Sequence, residues 1–540
     1  MSSARVRPVS SDREDGVAMV TILLVMLVLM MLGITTLEFG LGSQNLSRRD
    51  QDWNASLAAA EAGIDDYLLR LNENGAYWQY SKTNPPPSAY SNPAFASFTA
   101  VPGPTNESTF RYTPDSSRIT VDGTVKLTST GQVRKTQRTV SATLRRRSFI
   151  DYLYYTDFET MDPALYTGSP FTAAQAQTNC AKYYYSGRSS SCTDINFVSA
   201  DTINGPLHSN DAFLVCGSPK FNGDTSTSYS GSLTGGVRYR RNSSCSGNTP
   251  TFSRSGDPKQ LDPLSMPPSN SSIRANTDAG TGGCLYTGPT KIVFNSNGTM
   301  TVSSPFSKNT RNGCVTNGTG ALPSNGVIYV QNVPSSTSDP NYTNGCPYSV
   351  SGRAHPLGLP ITNDITTYGC RNGDAFVEGT LKGQVTLATE NNIDITWNLT
   401  FQGGLAGSDL LGLVANNYVE VYHPVSCTSG TSSGCNLSIP GHSVMNNLTI
   451  NAAILSVNHS FRVQNWTIGA PLGTLTVNGA IAQRYRGAVG TNSNGTITSG
   501  FAKAYVYDQR LKYLEPPYFL DPVAAAWQVA VWSEVTNPAT

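Results

Sequence analysis

The sequence predicts an α+β protein, mostly β, in which one long N-terminal helix precedes a large disulfide-bonded β-rich domain. Three observations support this fold class. An uncharged apolar run occupies residues 17–37, and ten cysteines are spread over residues 180–435. Short alternating apolar runs, separated by Asn, Gly, Ser and Thr, fill residues 200–510. The 49 Gly and 32 Pro in 540 residues also favour turns and short strands over long helices.

The charge of the chain is sparse and balanced, with 37 Lys+Arg against 36 Asp+Glu. Nucleic-acid binding depends on clustered positive charge, so this composition predicts no nucleic-acid partner. No Cys-x-x-Cys motif occurs, and the five His residues have no metal-ligand spacing to the cysteines. We therefore expect no metal, no cofactor and no enzymatic activity.

The first element is predicted to be a transmembrane helix. Residues 17–37 carry no charge over 21 positions, and a helix of that length rises roughly 32 Å, enough for a bilayer core of about 30 Å. The apolar core of a signal peptide is shorter, about 7–15 residues. Arg5, Arg7 and Arg13 are offset by acidic neighbours, so charge only slightly favours a cytoplasmic N-terminus. The cysteines need an oxidising compartment, which places the body outside the cytoplasm.

The helix is predicted to continue beyond the membrane span, to about residue 75. Apolar residues recur at spacings of three, four and seven, which is typical of one stripe on a helix: Leu46, Trp53, Leu57, Ala60, Ile64, Leu68 and Leu71. Asn74 and Gly75 then end the pattern, and prolines follow at 85–87. A simple membrane anchor needs no such extension.

This N-terminal region resembles a known family. A polar leader ends in Gly16, the uncharged helix starts at Val17, and an A-A-E-A-G segment follows, formed by Ala59, Ala60, Glu61, Ala62 and Gly63. Together these features resemble the N-terminus of PilX-type minor pilins of type IV pili. The resemblance implies cleavage between Gly16 and Val17 by a prepilin peptidase, and packing among like helices through small residues. It also implies other pilin-like subunits and the pilus assembly machinery as partners, with the body at the cell surface.

One position departs from the family pattern. Most pilins have Glu at the fifth position after the cleaved bond, where this chain has Thr21. In the family, that Glu is thought to neutralise the terminal amine of a neighbouring subunit. Its absence implies a minor, tip or initiating subunit.

The chain is divided by pattern into six segments: a leader (1–16), the transmembrane and amphipathic helix (17–75), a small antiparallel β unit (76–148), an aromatic connector with a Cys loop (149–200), a solenoid-like β domain (201–515) and a C-terminal cap or tail (516–540). Alternation at 118–127 and 137–144 predicts the antiparallel pair. In the large domain, Asn- and Gly-rich corners favour a β-helix, with β-sandwich domains as the alternative. The apolar run at 523–534 predicts a short terminal helix, with a strand as the alternative.

The cysteines form consecutive pairs that are 12, 29, 30, 24 and 8 residues apart. Such spacings suit disulfides that close local loops, each contributing roughly 2–4 kcal/mol of stability. We predict the pairs Cys180–Cys192, Cys216–Cys245, Cys284–Cys314, Cys346–Cys370 and Cys427–Cys435.

Several motifs are better explained by structure than by chemistry. Gly430–Gly434 matches G-x-S-x-G but lacks the strand–turn–helix context of a nucleophile. His208, with Asn210 and Asp211, is predicted to lie in a hydrogen-bonded turn. Composition and turn preference account for the Asn-x-Ser/Thr sequons, which include Asn297, Asn317, Asn398, Asn436, Asn447, Asn458 and Asn465. A solvated edge is predicted for the cluster of Arg145–Arg147 with Arg238, Arg240 and Arg241.

The predicted function is that of a structural or adhesive minor pilin-like component of a type IV pilus or pseudopilus-like system. The first alternative is a single-pass, membrane-anchored surface binding protein, which needs the anchor but not cleavage at Gly16. The second is a β-helical carbohydrate-active enzyme, with Glu378 and Glu390 as candidate carboxylates. The sequence names no surface or glycan ligand.

Overall fold

The structure is a computed structural model that describes residues 15–103, 107–119, 123–231, 237–245, 247–345, 357–360, 369–493, 496–523 and 527–535. Most of the predicted leader therefore lies outside the described residues. The chain forms two compact units. The first contains the described parts of Met1–Ser116, Val125–Leu144 and Val531–Thr540, and the second those of Ser117–Thr124 and Arg145–Ala530. A long N-terminal helix and a large, mostly β, disulfide-bonded unit confirm the predicted α+β class.

Three α-helices and thirty strands lie wholly within the described residues. The helices are α1 (Asp15–Glu73), α2 (Ala173–Cys180) and α3 (Ser271–Arg274). The first strands are β1 (Thr99–Ala100), β2 (Ser108–Asp115), β3 (Val125–Val133), β4 (Thr136–Arg146), β5 (Tyr154–Phe158), β6 (Asn196–Val198), β7 (Thr202–Asn204), β8 (Leu207–Ser209), β9 (Leu214–Cys216), β10 (Lys220–Phe221), β11 (Thr225–Thr227), β12 (Arg240–Arg241), β13 (Thr251–Phe252) and β14 (Lys259–Gln260). Next come β15 (Cys284–Thr287), β16 (Thr290–Asn295), β17 (Thr299–Ser303), β18 (Asn317–Ala321), β19 (Val327–Gln331), β20 (Ala375–Leu381), β21 (Gln384–Thr389) and β22 (Ile393–Phe401). The last are β23 (Leu410–Ala415), β24 (Val419–Val421), β25 (Leu448–Ser456), β26 (Phe461–Val463), β27 (Pro471–Tyr485), β28 (Gly490–Ser493), β29 (Thr496–Tyr507) and β30 (Trp527–Val535).

Helix α1 is 59 residues long and ends just before Gly75. The Asn74 side chain accepts a hydrogen bond from the N–H of Ala76 (3.0 Å), which turns the chain away from the helix axis. The predicted continuation of the helix to about residue 75 is confirmed, and the first two residues of the apolar stripe, Leu46 and Trp53, are 64% and 53% exposed. Burial begins at Ser56, the point from which the sheet of the first unit covers the helix.

The sheet of the first unit has the strand order β1–β2–β3–β4–β30. Strands β1 to β4 pair antiparallel. Strands β3 and β4 form a hairpin with Val125 opposite Leu144, and Arg134 takes a left-handed conformation (φ 53°) in its tight turn. The second strand of the predicted pair, 137–144, is therefore right. The first begins later than predicted, at Val125, and residues 120–122 lie outside the described part.

The C-terminal segment forms strand β30, so the helix predicted over 523–534 is wrong and its alternative, a strand, is observed. The run contains Val and Trp, which suit a half-buried strand at least as well as a helix. A neighbouring strand, β4, supplies hydrogen-bonding partners for the backbone of β30. Tertiary pairing thus decides a segment whose local preference is ambiguous.

The second unit consists mainly of two long ladders of parallel strands. The first ladder has the order β15–β19–β21–β23–β25–β27–β5–β8–β11–β14. The second has the order β16–β20–β22–β25–β27–β29–β7–β10–β13. Two shorter sets, β22–β24–β26 and β6–β9–β12, are also parallel. Antiparallel pairing occurs in β16–β17–β18 and β28–β29.

The order of strands in these ladders departs from their order in the sequence. Ile481 in β27 lies opposite Tyr154 in β5, and Tyr505 in β29 lies opposite Ile203 in β7. The segment predicted as an aromatic connector, 149–200, therefore supplies a ladder strand. We call the junction of β27 and β29 with β5 and β7 the seam. The chain then returns from β14 to β15, the first strand of its ladder.

Aligned apolar side chains fill the interior along the first ladder. Registered neighbours are all at most 5% exposed, as expected for parallel strands covered on both faces: Ile328, Leu387, Leu413, Ile454, Ile481, Tyr154 and Leu207. The alternating apolar runs in the sequence overlap five strands, β21, β22, β24, β26 and β27, at 384–387, 392–395, 418–422, 461–463 and 474–477. Two further runs, at 447–450 and 454–457, belong to a single strand, β25.

Hydrogen-bonded amides connect successive turns at one corner of the second unit. Asn417 donates to the Oδ1 of Asn391 (2.5 Å), and Asn391 donates in turn to the Oδ1 of Asp374 (2.5 Å). Asp374 is fully buried, and burial raises its pKa from 3.8 to about 7.

Disulfides close the local loops of the second unit. The structure forms Cys180–Cys192, Cys216–Cys245, Cys284–Cys314 and Cys427–Cys435, with the predicted separations of 12, 29, 30 and 8 residues. Cys370 is also disulfide-bonded. The fifth predicted pair includes Cys346, which lies outside the described residues.

Candidate assembly surface

The first half of α1, residues 17–39, presents an apolar surface that the described chain leaves uncovered. Large side chains from Met19 to Phe39 are 47–84% exposed. The most apolar window of the helix has a mean hydropathy of 2.7, and none of that window is buried. Within the described residues this is the one helix long and apolar enough to cross a membrane, and a signal sequence has the same properties. We call residues 17–39 the apolar half of α1.

Thr21, where most pilins have Glu, lies inside the apolar half of α1. Its hydroxyl donates to the carbonyl of Ala18 (2.9 Å), so the helix backbone satisfies this polar group. Three glycines lie further along the helix, and a Cβ built on any of them would meet nothing within 4 Å: Gly33, Gly40 and Gly42. Packing within the described part of the chain therefore does not require these glycines. Gly16 and Val17 belong to the first turn of α1.

The second half of α1 packs closely on the sheet of the first unit through small residues. Ala59 and Ala60 are buried. A Cβ on Gly131 of β3 would lie 2.1 Å from the carbonyl oxygen of Ser56 and 2.3 Å from the nitrogen of Ala60. A Cβ on Gly63 would lie 2.3 Å from the Ser129 hydroxyl. The A-A-E-A-G segment thus allows helix and sheet backbones to touch within one chain, while Glu61 is exposed and Ala62 half-buried.

A polar contact anchors the C-terminal end of α1. The Oδ2 of Asp66 accepts hydrogen bonds from Arg70 (3.0 Å), Asn92 (2.8 Å) and Tyr112 (2.9 Å). Burial, followed by the charge of Asp66, raises the pKa of Tyr112 well above its usual value. Tyr112 also packs edge-on against Tyr67, with ring centroids 5.2 Å apart. Sequence patterns did not identify this cluster because its members are up to 46 residues apart.

The C-terminal strand contributes a second anchor to the first unit. Arg138 of β4 donates to both carboxylate oxygens of Glu534 in β30, at 2.6 and 2.5 Å. Its guanidinium also lies 4.6 Å from the ring centroid of Trp53 in α1. The hydrogen bond from Arg138 lowers the pKa of Glu534. Arg138 thus connects β30 to α1 through a bidentate ion pair with Glu534 and a cation–π contact with Trp53.

The predicted histidine turn is a buried hydrogen-bond network. His208 is fully buried and contacts the Ser226 hydroxyl through Nδ1 (2.9 Å) and the Asn210 amide oxygen through Nε2 (3.2 Å). Asn210 also donates to Asp157 (2.9 Å). Burial lowers the pKa of His208 from 6.5 to about 4, which keeps the imidazole neutral near pH 7. Asp211, the third residue of the motif, pairs with the buried Arg188.

The two candidate carboxylates lie in different surroundings. Glu378 in β20 contacts Lys291 (3.1 Å), His442 (3.3 Å) and the Thr396 hydroxyl (2.7 Å). Glu390 accepts a hydrogen bond from the backbone N–H of Asn332 (2.7 Å). In the described part of the chain, no group of three His, Cys, Asp or Glu side chains is placed to hold a metal ion.

The remaining motifs have local structural partners. Gly430–Gly434 lies in the loop closed by Cys427–Cys435 and contributes to a short 3₁₀ turn capped by Ser432. Among the sequons, the Asn447 side chain caps the N–H of Thr474 (2.8 Å). The solvated edge predicted for the arginine cluster is wrong for Arg145 and Arg240, whose side chains are only 13% and 17% exposed. They pair with Asp151 and with Asp194 (2.7 Å), and these carboxylates compensate the buried charge.

Comparisons with known proteins add little to this description. No protein-family profile matches the sequence, and no curated protein matches it. Among solved structures, the crystal structure of the competence-associated pilin ComZ from Thermus thermophilus aligns with 90% of this chain and 98% of that chain, at 13% identity. The TM-score is 0.20, which is too low for the alignment to support an argument about fold or function.

Proposed function

We propose that the chain is a pilin-like structural subunit of a type IV pilus or pseudopilus-like system. The observation that carries the proposal is the division of α1 into two halves. One half is apolar, with Glu38 as its one charged residue, and its side chains are exposed from Ala18 to Phe39. The other half is held against the chain's own sheet by Ala59, Ala60 and Gly131. A helix fixed at one end can be embedded in lipid before assembly and surrounded by like helices afterwards.

The proposal includes processing and position. A prepilin peptidase cleaves the bond between Gly16 and Val17, the N-terminus starts in the cytoplasm, and the body lies outside the membrane. Thr21 provides no carboxylate for the terminal amine of a neighbour, which suits a minor, tip or initiating subunit. The open glycines Gly33 and Gly40 are seven residues apart, so one face of α1 offers room for a neighbouring helix.

The second unit is the exposed structural or adhesive body in this proposal, and its fold is a β-helix. Parallel registration of the two long ladders supports a β-helix over a β-sandwich, because sandwich sheets are built from antiparallel strands. The body is proposed to be non-enzymatic. The engagement of Glu378 by three neighbouring side chains supports a structural role for that carboxylate.

N-terminal sequencing of the mature protein from a sheared surface fraction tests the function. We expect the chain to begin at Val17, and a Gly16→Leu variant to stay uncleaved and absent from the sheared fraction. Gly103→Ala is the matched control, because a Cβ there would meet only the Val101 carbonyl oxygen, at 3.9 Å, and the position lies outside the apolar half of α1. Processing and recovery in the sheared fraction should both stay intact. A mature chain that begins at Met1, or near residue 40, would refute the proposal.

Two further results distinguish the alternatives. A Gly16→Leu variant that still reaches the surface normally would favour a single-pass surface binding protein. Cleavage of a polysaccharide by the wild type, by hydrolysis or by elimination, that is lost in Glu378→Gln would favour the carbohydrate-active enzyme and overturn the non-enzymatic role.

A further inference from the structure

A lysine and an aspartate face each other across the seam. Asp201 directly precedes β7, and Lys503 lies in β29, the strand that pairs with β7. The Nζ of Lys503 is 3.3 Å from both carboxylate oxygens of Asp201, although the two residues are 302 positions apart. Asp201 is 5% exposed. A single covalent bond at this point would therefore join the early and late strands of the second unit.

The pair is mostly buried, since the side chain of Lys503 is 19% exposed and that of Asp201 is 6% exposed. A cavity of about 10 Å³ lies beside Lys503, which is about the space that one water molecule needs. Aromatic rings line it together with the polar side chains of Gln483 and Arg486. The neighbouring Arg486 is already paired with Glu159 (2.9 Å) and stacks on Phe197 (3.6 Å to the centroid). Arg486 therefore has its own carboxylate partner beside the Lys503–Asp201 pair.

We propose that Lys503 and Asp201 condense to an intramolecular amide, an isopeptide bond across the seam. The Nζ of Lys503 attacks Cγ of Asp201, so that an N–C bond forms and one Cγ–O bond breaks. The ammonium nitrogen loses two protons, and both end on the departing oxygen, which leaves as water. The step needs no oxidant, reductant or other reactant.

The geometry provides what such a condensation requires. The nucleophile and the carboxyl group are held at contact distance, which removes the entropic cost of bringing them together. The backbone N–H of Val198 donates to the Oδ2 of Asp201 (3.0 Å), so a donor is already in place for the oxyanion that forms at that atom. Burial lowers the pKa of Lys503, which favours the neutral amine needed for attack.

The Lys291–Glu378 pair provides an internal contrast. Its N–O distance is similar, 3.1 Å, but the Glu378 carboxylate also contacts His442 and the Thr396 hydroxyl. These contacts favour the ionised carboxylate, and the pKa of Glu378 is lowered although its burial alone would raise it. We expect this pair to remain ionic.

Peptide mapping of the purified, reduced, full-length chain tests the proposal. Trypsin does not cut at an acylated lysine, so the expected product joins residues 189–220 to residues 487–510. Its mass is that of the two peptides less one water molecule, and the intact reduced chain is lighter by the same amount. On a denaturing gel the closed loop makes the boiled, reduced chain migrate faster.

Lys503→Arg keeps the positive charge but removes the nucleophile, so the joined peptide disappears and the missing water mass returns. Lys291→Arg is the matched control and leaves the joined peptide unchanged. The wild-type measurement needs no variant to fold. A wild-type digest with a free peptide ending at Lys503, and an intact mass without loss of water, would show an ion pair only and overturn the proposal.

Discussion

Replacement of Gly131 by Ala tests the contact between α1 and its sheet, on which the proposed function depends. The added methyl would lie 2.1 Å from the Ser56 carbonyl oxygen and 2.3 Å from the Ala60 nitrogen. Non-bonded atoms of this kind prefer about 3.5 Å, so helix and strand must separate by roughly 1 Å. Both neighbours are backbone atoms, which no rotamer change can move aside.

The cost should lie at the upper end of the range for overpacking, about 3 kcal/mol. Hydrogen exchange of the full-length chain in detergent provides the assay. We expect amides in residues 56–67 and 125–133 to exchange about 100-fold faster in Gly131→Ala, since about 1.4 kcal/mol corresponds to a factor of ten. The amount of Gly131→Ala recovered in the sheared surface fraction should also fall.

Gly103→Ala is the matched control in the first unit. The nearest atom to a Cβ at Gly103 is the Val101 carbonyl oxygen, at 3.9 Å, which is an ordinary contact. Its exchange should match the wild type. Unchanged protection of residues 56–67 in Gly131→Ala would refute the claim that close backbone approach holds the helix in place.

Three further predictions concern the second unit. Since burial raises the pKa of Asp374 from 3.8 to about 7, its contribution to stability is complete below pH 3.8 and is lost as pH rises through 7. The unfolding free energy of Asp374→Asn minus that of the wild type should therefore rise by about 4 kcal/mol between pH 3.5 and pH 8, at about 1.4 kcal/mol per pKa unit. A difference that does not change with pH would contradict this. The pKa of His208 is lowered from 6.5 to about 4, so its contribution is present above pH 6.5 and lost as pH falls through 4. In denaturant titrations, the unfolding free energy of His208→Gln should therefore fall by about 3 kcal/mol less than that of the wild type when the pH is lowered from above 6.5 to below 4. If the unfolding free energies of both proteins fall equally, the imidazole is not the cause. Glu159→Gln leaves the buried Arg486 without its charged partner, so it should destabilise by about 3–5 kcal/mol, whereas Glu61→Gln, at an exposed position, should change the unfolding midpoint little.

Features with short-range causes were predicted well. The helix follows from an uncharged run and a 3.6-residue period, and the described disulfides join cysteines at most 30 residues apart. Strands β21, β22 and β24 to β27 overlap the alternating apolar runs. In each case neighbouring residues carry the information, because a turn, a strand or a small loop depends on little else.

The candidate surface was predicted only in part. Sequence patterns identified the apolar half of α1 and the small residues Ala59–Gly63, but not Gly131, which those residues touch. The bidentate ion pair of Arg138 with Glu534 was also not predicted, since it joins residues 396 positions apart. Neither partner has a local pattern that points to the other.

The amino-acid sequence alone determined that this chain has a long, half-apolar helix, a β-rich body and locally paired cysteines. Only the tertiary structure decided that β27 pairs with β5, that β30 completes the first sheet, and that Lys503 meets Asp201. The physical reason is that an alternating pattern predicts a strand but does not specify which other strand pairs with it. The backbone N–H and C=O groups of one apolar strand can form hydrogen bonds with those of many others. Which strand becomes the partner depends on how the side chains stack across the whole fold.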